Sequence, residues 1–144
     1  MKKLNNFICT IMLLALCVFS TSAQTVSKTF TKAFNVSGVT QIQLDIPGTI
    51  DLKTWDNSTI RFEIMVSMPT GTSPSMLEEL ARVGRYNLTL TTQSDQTLIE
   101  APNLKRTIKA KGQELKENIT FTIYAPKNAQ IVLPAGNILA EATK

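Results

Sequence analysis

Histidine is absent from the 144 residues. Every catalytic triad, dyad or metal site that needs imidazole is thereby excluded. Cysteine occurs only at Cys9 and Cys17, both close to the N-terminus, so a zinc or copper site has no ligands to draw on. The six glycines are scattered singly, which leaves no glycine-rich loop to cradle a phosphate. Asp45, Asp51, Asp56 and Asp95 are too dispersed for a calcium-binding loop. Aromatic residues make up 6% of the chain, with one tryptophan. No metal, cofactor-binding or catalytic residue is assigned from these patterns.

A long apolar run is present only at the start. Met1–Ala23 opens with Lys2 and Lys3, continues through an apolar stretch from Phe7 to Phe19, and ends in Ser20-Thr21-Ser22-Ala23. That order of charged, apolar and small residues is the pattern of a secretory signal peptide. The apolar stretch falls short of the roughly 20 residues needed to span a bilayer. Residues 1–23 are therefore expected to be a signal peptide and 24–144 a single domain, placed in the periplasm or at the cell surface. A retained membrane anchor is the alternative. Leu14-Ala15-Leu16-Cys17 is also similar to a bacterial lipobox, although Leu16 stands where a small residue is usual; acylation at Cys17 is the minor option.

Removing the signal changes the charge and redox reading. Both cysteines leave with it, so an exported domain of 121 residues has no disulfide and rests on its core. Thirteen basic residues remain against eleven acidic ones, so the net charge falls from +4 to +2. The basic balance of the full chain then gives no licence for nucleic-acid binding.

What the sequence does have is period-two alternation. Ile42, Leu44 and Ile46 alternate with Gln41, Gln43 and Asp45; Ile50 and Leu52 with Asp51 and Lys53. Ile60, Phe62, Ile64, Val66 and Met68 form a third run, interrupted only by Met65. Tyr86, Leu88 and Leu90 form a fourth, and Ile119, Phe121 and Ile123 a fifth. Each predicts a strand with one apolar and one polar face. The threonine-rich polar positions suit a solvated, antiparallel-rich sheet. Pro47-Gly48, Trp55-Asp56-Asn57-Ser58, Pro126-Lys127-Asn128 and Pro134-Ala135-Gly136-Asn137 punctuate the runs, and the second is short enough for a hairpin. One helix is predicted over about 73–84, with Ser73 as cap and Pro74 at its first position, or with a Ser75/Glu78 capping box, and with Gly84 as its stop. Ile99, Ala101, Pro102 and Gly112 match Ile123, Ala125, Pro126 and Gly136 at an offset of 24. That spacing is read either as stacked β units or as two like hairpins. The expected fold is mainly β: a β-sandwich or short β-solenoid with one short helix.

Two groups are candidates for binding. Trp55 with Asp56 and Asn57 offers an aromatic face beside polar groups, suited to stacking on a sugar ring, or else a turn residue folded over the core edge. Lys105-Arg106-Thr107-Ile108-Lys109-Ala110-Lys111, read as a strand, places Lys105, Lys109 and Lys111 on one face. They are either an electropositive patch for acidic glycans, headgroups or phosphates, or lysines guarding a sheet edge. No aromatic residues interleave with these cations, which argues against single-stranded nucleic acid. Asp45, Asp51 and Glu63 lie on polar strand faces and are read as solvated surface.

The stretch from Phe34 to Ile46, with its aromatic-x-Val-x-Gly opening and Ile-x-Leu strand, resembles the start of the exported bacterial β-repeat family of auto-transporter adhesin head (GIN) domains and their uncharacterised relatives. Gly48–Leu52 resembles the hairpin that follows in that family, and Ile119–Ala129 resembles its strand ending in Pro-x-Asn-Ala. The resemblance covers about Phe34 to Leu133. It implies a β-solenoid or sandwich without established catalysis, adhesin-like or binding a protein or glycan partner at the envelope, and it carries no functional residues across.

Overall fold

The computed structural model describes residues 25–94 and 96–133. The signal-peptide and lipobox segments, Asp95 and the Pro134–Asn137 turn lie outside them. Most of the alternating segments become strands, and their alternating apolar residues face one core. In chain order the elements are β1 (Ser27–Asn35), β2 (Gln41–Asp45), β3 (Thr49–Trp55), β4 (Thr59–Ser67), α1 (Pro74–Arg82), β5 (Thr89–Gln93), β6 (Gln96–Glu100), β7 (Lys109–Ala110), β8 (Gln113–Glu114), β9 (Asn118–Pro126) and β10 (Gln130–Val132).

Two four-stranded sheets result, ordered β1-β4-β9-β3 and β10-β2-β6-β5, with β7-β8 as a separate hairpin. Ile60, Phe62, Ile64 and Val66 of β4 and Phe121 and Ile123 of β9 are fully buried from the first sheet. Ile42 and Leu44 of β2 and Ile99 of β6 meet them from the second, within one hydrophobic cluster. This is the two-layer solution for sheets with one apolar face each. Met65, the residue that broke the alternation, is half exposed on the outer face.

The pairing is more mixed than the alternation suggests. β3 runs parallel to β9, and β2 runs parallel to both β6 and β10. The remaining pairs, β1-β4, β4-β9, β5-β6 and β7-β8, are antiparallel. Two expected hairpins are corrected here. β3 and β4 are joined by Trp55–Ser58, yet β9 lies between them in the sheet. The turn is tight, but the partner edge is taken by a strand from sixty residues later in the chain. Likewise Gly48–Leu52 closes no hairpin with β2: the chain crosses at Pro47-Gly48 from the second sheet to the first. The 24-residue match also has a different meaning. Ile99 lies near the end of β6 with Ala101 just beyond it, and Ile123 and Ala125 lie near the end of β9, all fully buried. The segments lie in different sheets, so they are two like strand ends and not neighbouring rungs.

α1 forms where its caps allow. The Ser73 side chain accepts from the Ser75 backbone N–H, and Pro74 takes the first helical position, where its missing N–H costs nothing. At the other end Gly84 adopts φ +79°. The Arg85 N–H then reaches the Leu80 carbonyl at 2.9 Å and the Gly84 N–H reaches Ala81 at 3.0 Å. Those two bonds are the Schellman ending of a helix. Leu77 is the fully buried anchor of the helix. The segment Tyr86–Leu88 keeps the predicted alternating burial but is not strand; the chain is still leaving the helix there, and β5 begins only at Thr89.

Candidate functional site

At one end of the molecule three turns converge. Val36–Gly38, Trp55–Ser58 and Pro126–Asn128 line a pocket of about 430 Å³. The turn backbones are tied together: Val36 N–H donates to the Ser58 carbonyl (3.0 Å), and Lys127 N–H to the Trp55 carbonyl (3.2 Å). Asn57 Oδ1 accepts from both the backbone and the hydroxyl of Thr59, each at 3.2 Å, which holds the turn. Asp56 is largely exposed and pairs with Lys127 at 2.8 Å.

Trp55 is the last residue of β3, out of phase with Ile50 and half-buried. Its indole N–H donates to the Thr59 carbonyl at 2.8 Å, which fixes the ring. The ring lies on the outer face of the first sheet, not over the core edge. Its centroid is 5.6 Å from that of Tyr124, and the Arg61 guanidinium sits 5.0 Å from the Trp55 ring and 4.4 Å from the Tyr124 ring. Lys53 approaches Tyr124 from the far side at 5.6 Å. The register explains the cluster: Lys53, Tyr124 and Arg61 are direct neighbours across β3, β9 and β4. Cation–ring contacts of this kind are worth about 0.5–1 kcal/mol when exposed. Their product is a fixed aromatic–cationic platform beside a polar pocket. Tyr124 and Arg61 were legible only as members of a polar strand face.

The basic stretch is arranged differently from the single strand face expected of it. Lys105 lies in the loop after β6, where it pairs with Asp45 of β2. Lys109 opens β7 opposite Glu114. Lys111, at φ +51°, forms with Gly112 the two-residue turn of the β7-β8 hairpin. This type of hairpin turn requires consecutive positive φ values, and the turn breaks the alternation that would have aligned the lysines. β3 has Trp55 at one end and Thr49, which lines the pocket beside Lys105, at the other. The two candidate groups are thus separated by about 20 Å, the length of a seven-residue strand.

That second pocket, of about 480 Å³, has a floor that the sequence did not reveal. Arg85 and Glu117 form a buried ion pair, with side chains 9% and 4% exposed and Nη2 to Oε2 at 2.6 Å. Tyr86 donates its hydroxyl to Glu117 Oε1 at 2.7 Å. Arg85 Nη1 also donates to the carbonyls of Asn103 and Arg106, the latter at 2.7 Å. Asn103 Nδ2 returns a bond to the Gly84 carbonyl at 3.0 Å. Burial and the bond to the Glu117 carboxylate push the Tyr86 phenol well above its ordinary range. These residues come from a helix exit, a loop and a strand entry, and no local spacing links them.

The outer face of the second sheet carries Asp45 and Glu100 side by side at one end and uncharged side chains at the other. Gln130, Gln41, Gln96 and Gln93 form one row across its four strands, with Gln96 Nε2 donating to Gln41 Oε1 at 2.9 Å. The carboxylates considered as surface residues stay apart. Asp45 is on this sheet; Asp51 and Glu63 are on the other, with Thr122 of β9 between them. Asp51 is paired with Lys53 at 3.2 Å and Glu63 with Arg61 at 3.0 Å. Among the described residues no three His, Cys, Asp or Glu side chains cluster, and no helix is long and apolar enough to cross a membrane.

No family model and no curated protein matches the chain. One solved structure, a "putative adhesin" from Bacteroides fragilis, overlaps 74% of the chain at 15% identity and a TM-score of 0.36. The chain spans about 39% of that protein's length. A likeness at that score carries no argument about what the chain does.

Proposed function

We infer that the chain is an exported, non-catalytic module of the cell envelope that binds a partner through the Trp55 end of its first sheet. The observation that carries this reading is the platform of Trp55, Tyr124 and Arg61, its two rings tilted by 40° and set in place by the sheet register, bordered by the pocket of Asp56, Asn57 and Lys127. Rigid aromatic faces beside polar groups are the anchors that interfaces use most. The signal-like start and the resemblance of Phe34–Ile46 to adhesin head domains support an envelope location. A glycan is the second reading, favoured by the ring face of Trp55 and the polar turns around it, in which Asp56 and Lys127 are paired.

The chain has a single tryptophan, so its emission reports on this site alone. Titration with neutral and acidic oligosaccharides is expected to shift that emission saturably if the partner is a glycan. If the partner is a protein, oligosaccharides leave the emission unchanged, and a solubilised envelope fraction protects Trp55 from iodide quenching. Trp55→Ala abolishes binding in either case, and Tyr124→Ala weakens it by about tenfold, the cost of one aromatic contact. An emission and quenching profile indifferent to every addition would sink the reading.

A further inference from the structure

We propose that the second pocket is a separate binding site for a small sugar acid, whose acidic group, a carboxylate or a phosphate, sits between Arg106 and Lys116. The argument begins with which cations are already occupied. Of the charged residues lining the pocket, Arg85 is closed against Glu117 and Lys105 against Asp45. Glu114 has Lys109 as its cross-strand neighbour but forms no ion pair with it. Arg106 and Lys116 remain, both exposed lining residues without an ion pair among the described residues. With two unpaired cations against the one unpaired carboxylate of Glu114, the rim keeps a net positive charge, which attracts anions.

The rest of the lining gives the size and character of the ligand. A cavity of about 480 Å³ falls within the ~300–1,000 Å³ typical of small-molecule sites. Its walls combine apolar residues, Leu115 and Ile119 among them, with Thr49, Thr107 and Asn118. A pyranose ring has the matching pair of surfaces, apolar on its C–H faces and hydroxylated at its rim. Simple phosphate or acetate would leave most of the cavity unfilled.

The site is also held in shape without a ligand. Arg85 donates to the carbonyls of Asn103 and Arg106, which fixes the backbone that carries Lys105 and Arg106. Its pairing with Glu117 fixes the segment that carries Lys116. Leu115 N–H donates to the Ile108 carbonyl at 2.9 Å and closes the hairpin wall. Arg85 thus acts as a positioning residue beneath the rim cations. Preorganisation of this kind lowers the ordering cost of binding.

The test is amide-resolved NMR titration of the full chain with glucuronate, glucose 6-phosphate, glucose and inorganic phosphate. Saturable shifts at Thr107, Leu115 and Asn118 are expected with glucuronate or glucose 6-phosphate, and whichever binds more tightly identifies the acidic group. Arg106→Gln with Lys116→Gln is expected to weaken that binding at least tenfold. Lys28→Gln, remote on β1, leaves it unchanged. Both rim residues are exposed, so the variants fold, which their unshifted core amides verify. The proposal is overturned if neither acid gives saturable shifts, if glucose binds equally well, if inorganic phosphate matches glucose 6-phosphate, or if the double variant binds as the original does. Trp55 emission is irrelevant to all of these outcomes, so the two sites stand or fall separately.

Discussion

Glu117→Ala is expected to lower the unfolding free energy by about 3–5 kcal/mol, because it leaves a buried guanidinium without its counter-ion. Arg85 is 9% exposed at its side chain and cannot turn to solvent without releasing the carbonyls of Asn103 and Arg106. Tyr86 loses its acceptor in the same substitution. Denaturant unfolding measures the loss directly as a fall in midpoint at constant slope. A loss below about 1 kcal/mol, the range of an exposed pair, would mean that the network is not closed in solution. Arg85→Met combined with Glu117→Leu recovers part of the loss, since paired apolar replacements of a buried ion pair are often tolerated. Recovery is incomplete because the two loop carbonyls stay without a donor. The same network sets a pH dependence. The Tyr86 phenol is raised above its ordinary value in the folded state, first by burial and then by the Glu117 bond. The folded state therefore holds this proton more tightly than the unfolded one. That contribution is complete below about pH 10, the ordinary tyrosine value, and is lost as the pH rises beyond it. Tyr86→Phe is expected to flatten the alkaline fall in stability relative to the original chain, and equal slopes would remove the assignment.

Existence and facing were legible for β2, β3, β4 and β9, but β1 and β6 were not foreseen and Tyr86–Leu88 is not strand; strand partnership was not legible. Ile60, Phe62, Ile64 and Val66 could be placed on an inward face from alternation alone, and Met65 on the outward one, because a strand presents successive residues to opposite sides. The caps of α1 were legible for a similar reason: Ser73, Pro74 and Gly84 act on backbone groups within a turn of themselves. Sheet order depends on contacts far apart in the chain. Nothing near Trp55–Ser58 reports that Asn118–Pro126 takes the place between β3 and β4. The candidate sites divide in the same way. Trp55, Asp56 and Asn57 were visible because an aromatic residue in a polar turn is locally unusual. Tyr124 and Arg61 complete that platform only through the register. Arg85 and Glu117 are 32 residues apart, and a lone arginine after a helix looks like any exposed arginine. The lysines of the basic stretch misled for a local reason: Lys111 and Gly112 form a turn where alternation was assumed.

Gly48→Ala is expected to be the most damaging glycine substitution in the described fold. The crossover from β2 to β3 places Gly48 at φ +106°, where a side chain imposes strain of about 1–3 kcal/mol. A Cβ there would also lie 2.5 Å from the Ile119 carbonyl oxygen and 3.4 Å from its carbon. That neighbour is backbone at the start of β9, immediately before the Thr49–Thr120 pair that opens the parallel register, so it cannot swing aside. Overpacking against a fixed neighbour adds about 1–3 kcal/mol, giving a combined loss of about 2–6 kcal/mol. Gly38→Ala separates the two causes. Gly38 also has a positive φ, +78°, but nothing lies within 4 Å of its added Cβ. It should therefore lose only the backbone part, about 1–2 kcal/mol. Thermal unfolding of the two variants makes the comparison, since each kcal/mol moves the midpoint by roughly 4–8 °C in a domain near 100 residues. A Gly48→Ala shift no larger than that of Gly38→Ala would show that β3 and β9 do not approach closely at the crossover. Because Gly48 and Ile119 also line the pocket of Arg106 and Lys116, the same close approach that makes Gly48 irreplaceable closes one wall of that pocket. A relaxed crossover in Gly48→Ala should therefore weaken anion binding there while leaving Trp55 emission unchanged, whereas Gly38→Ala should do neither.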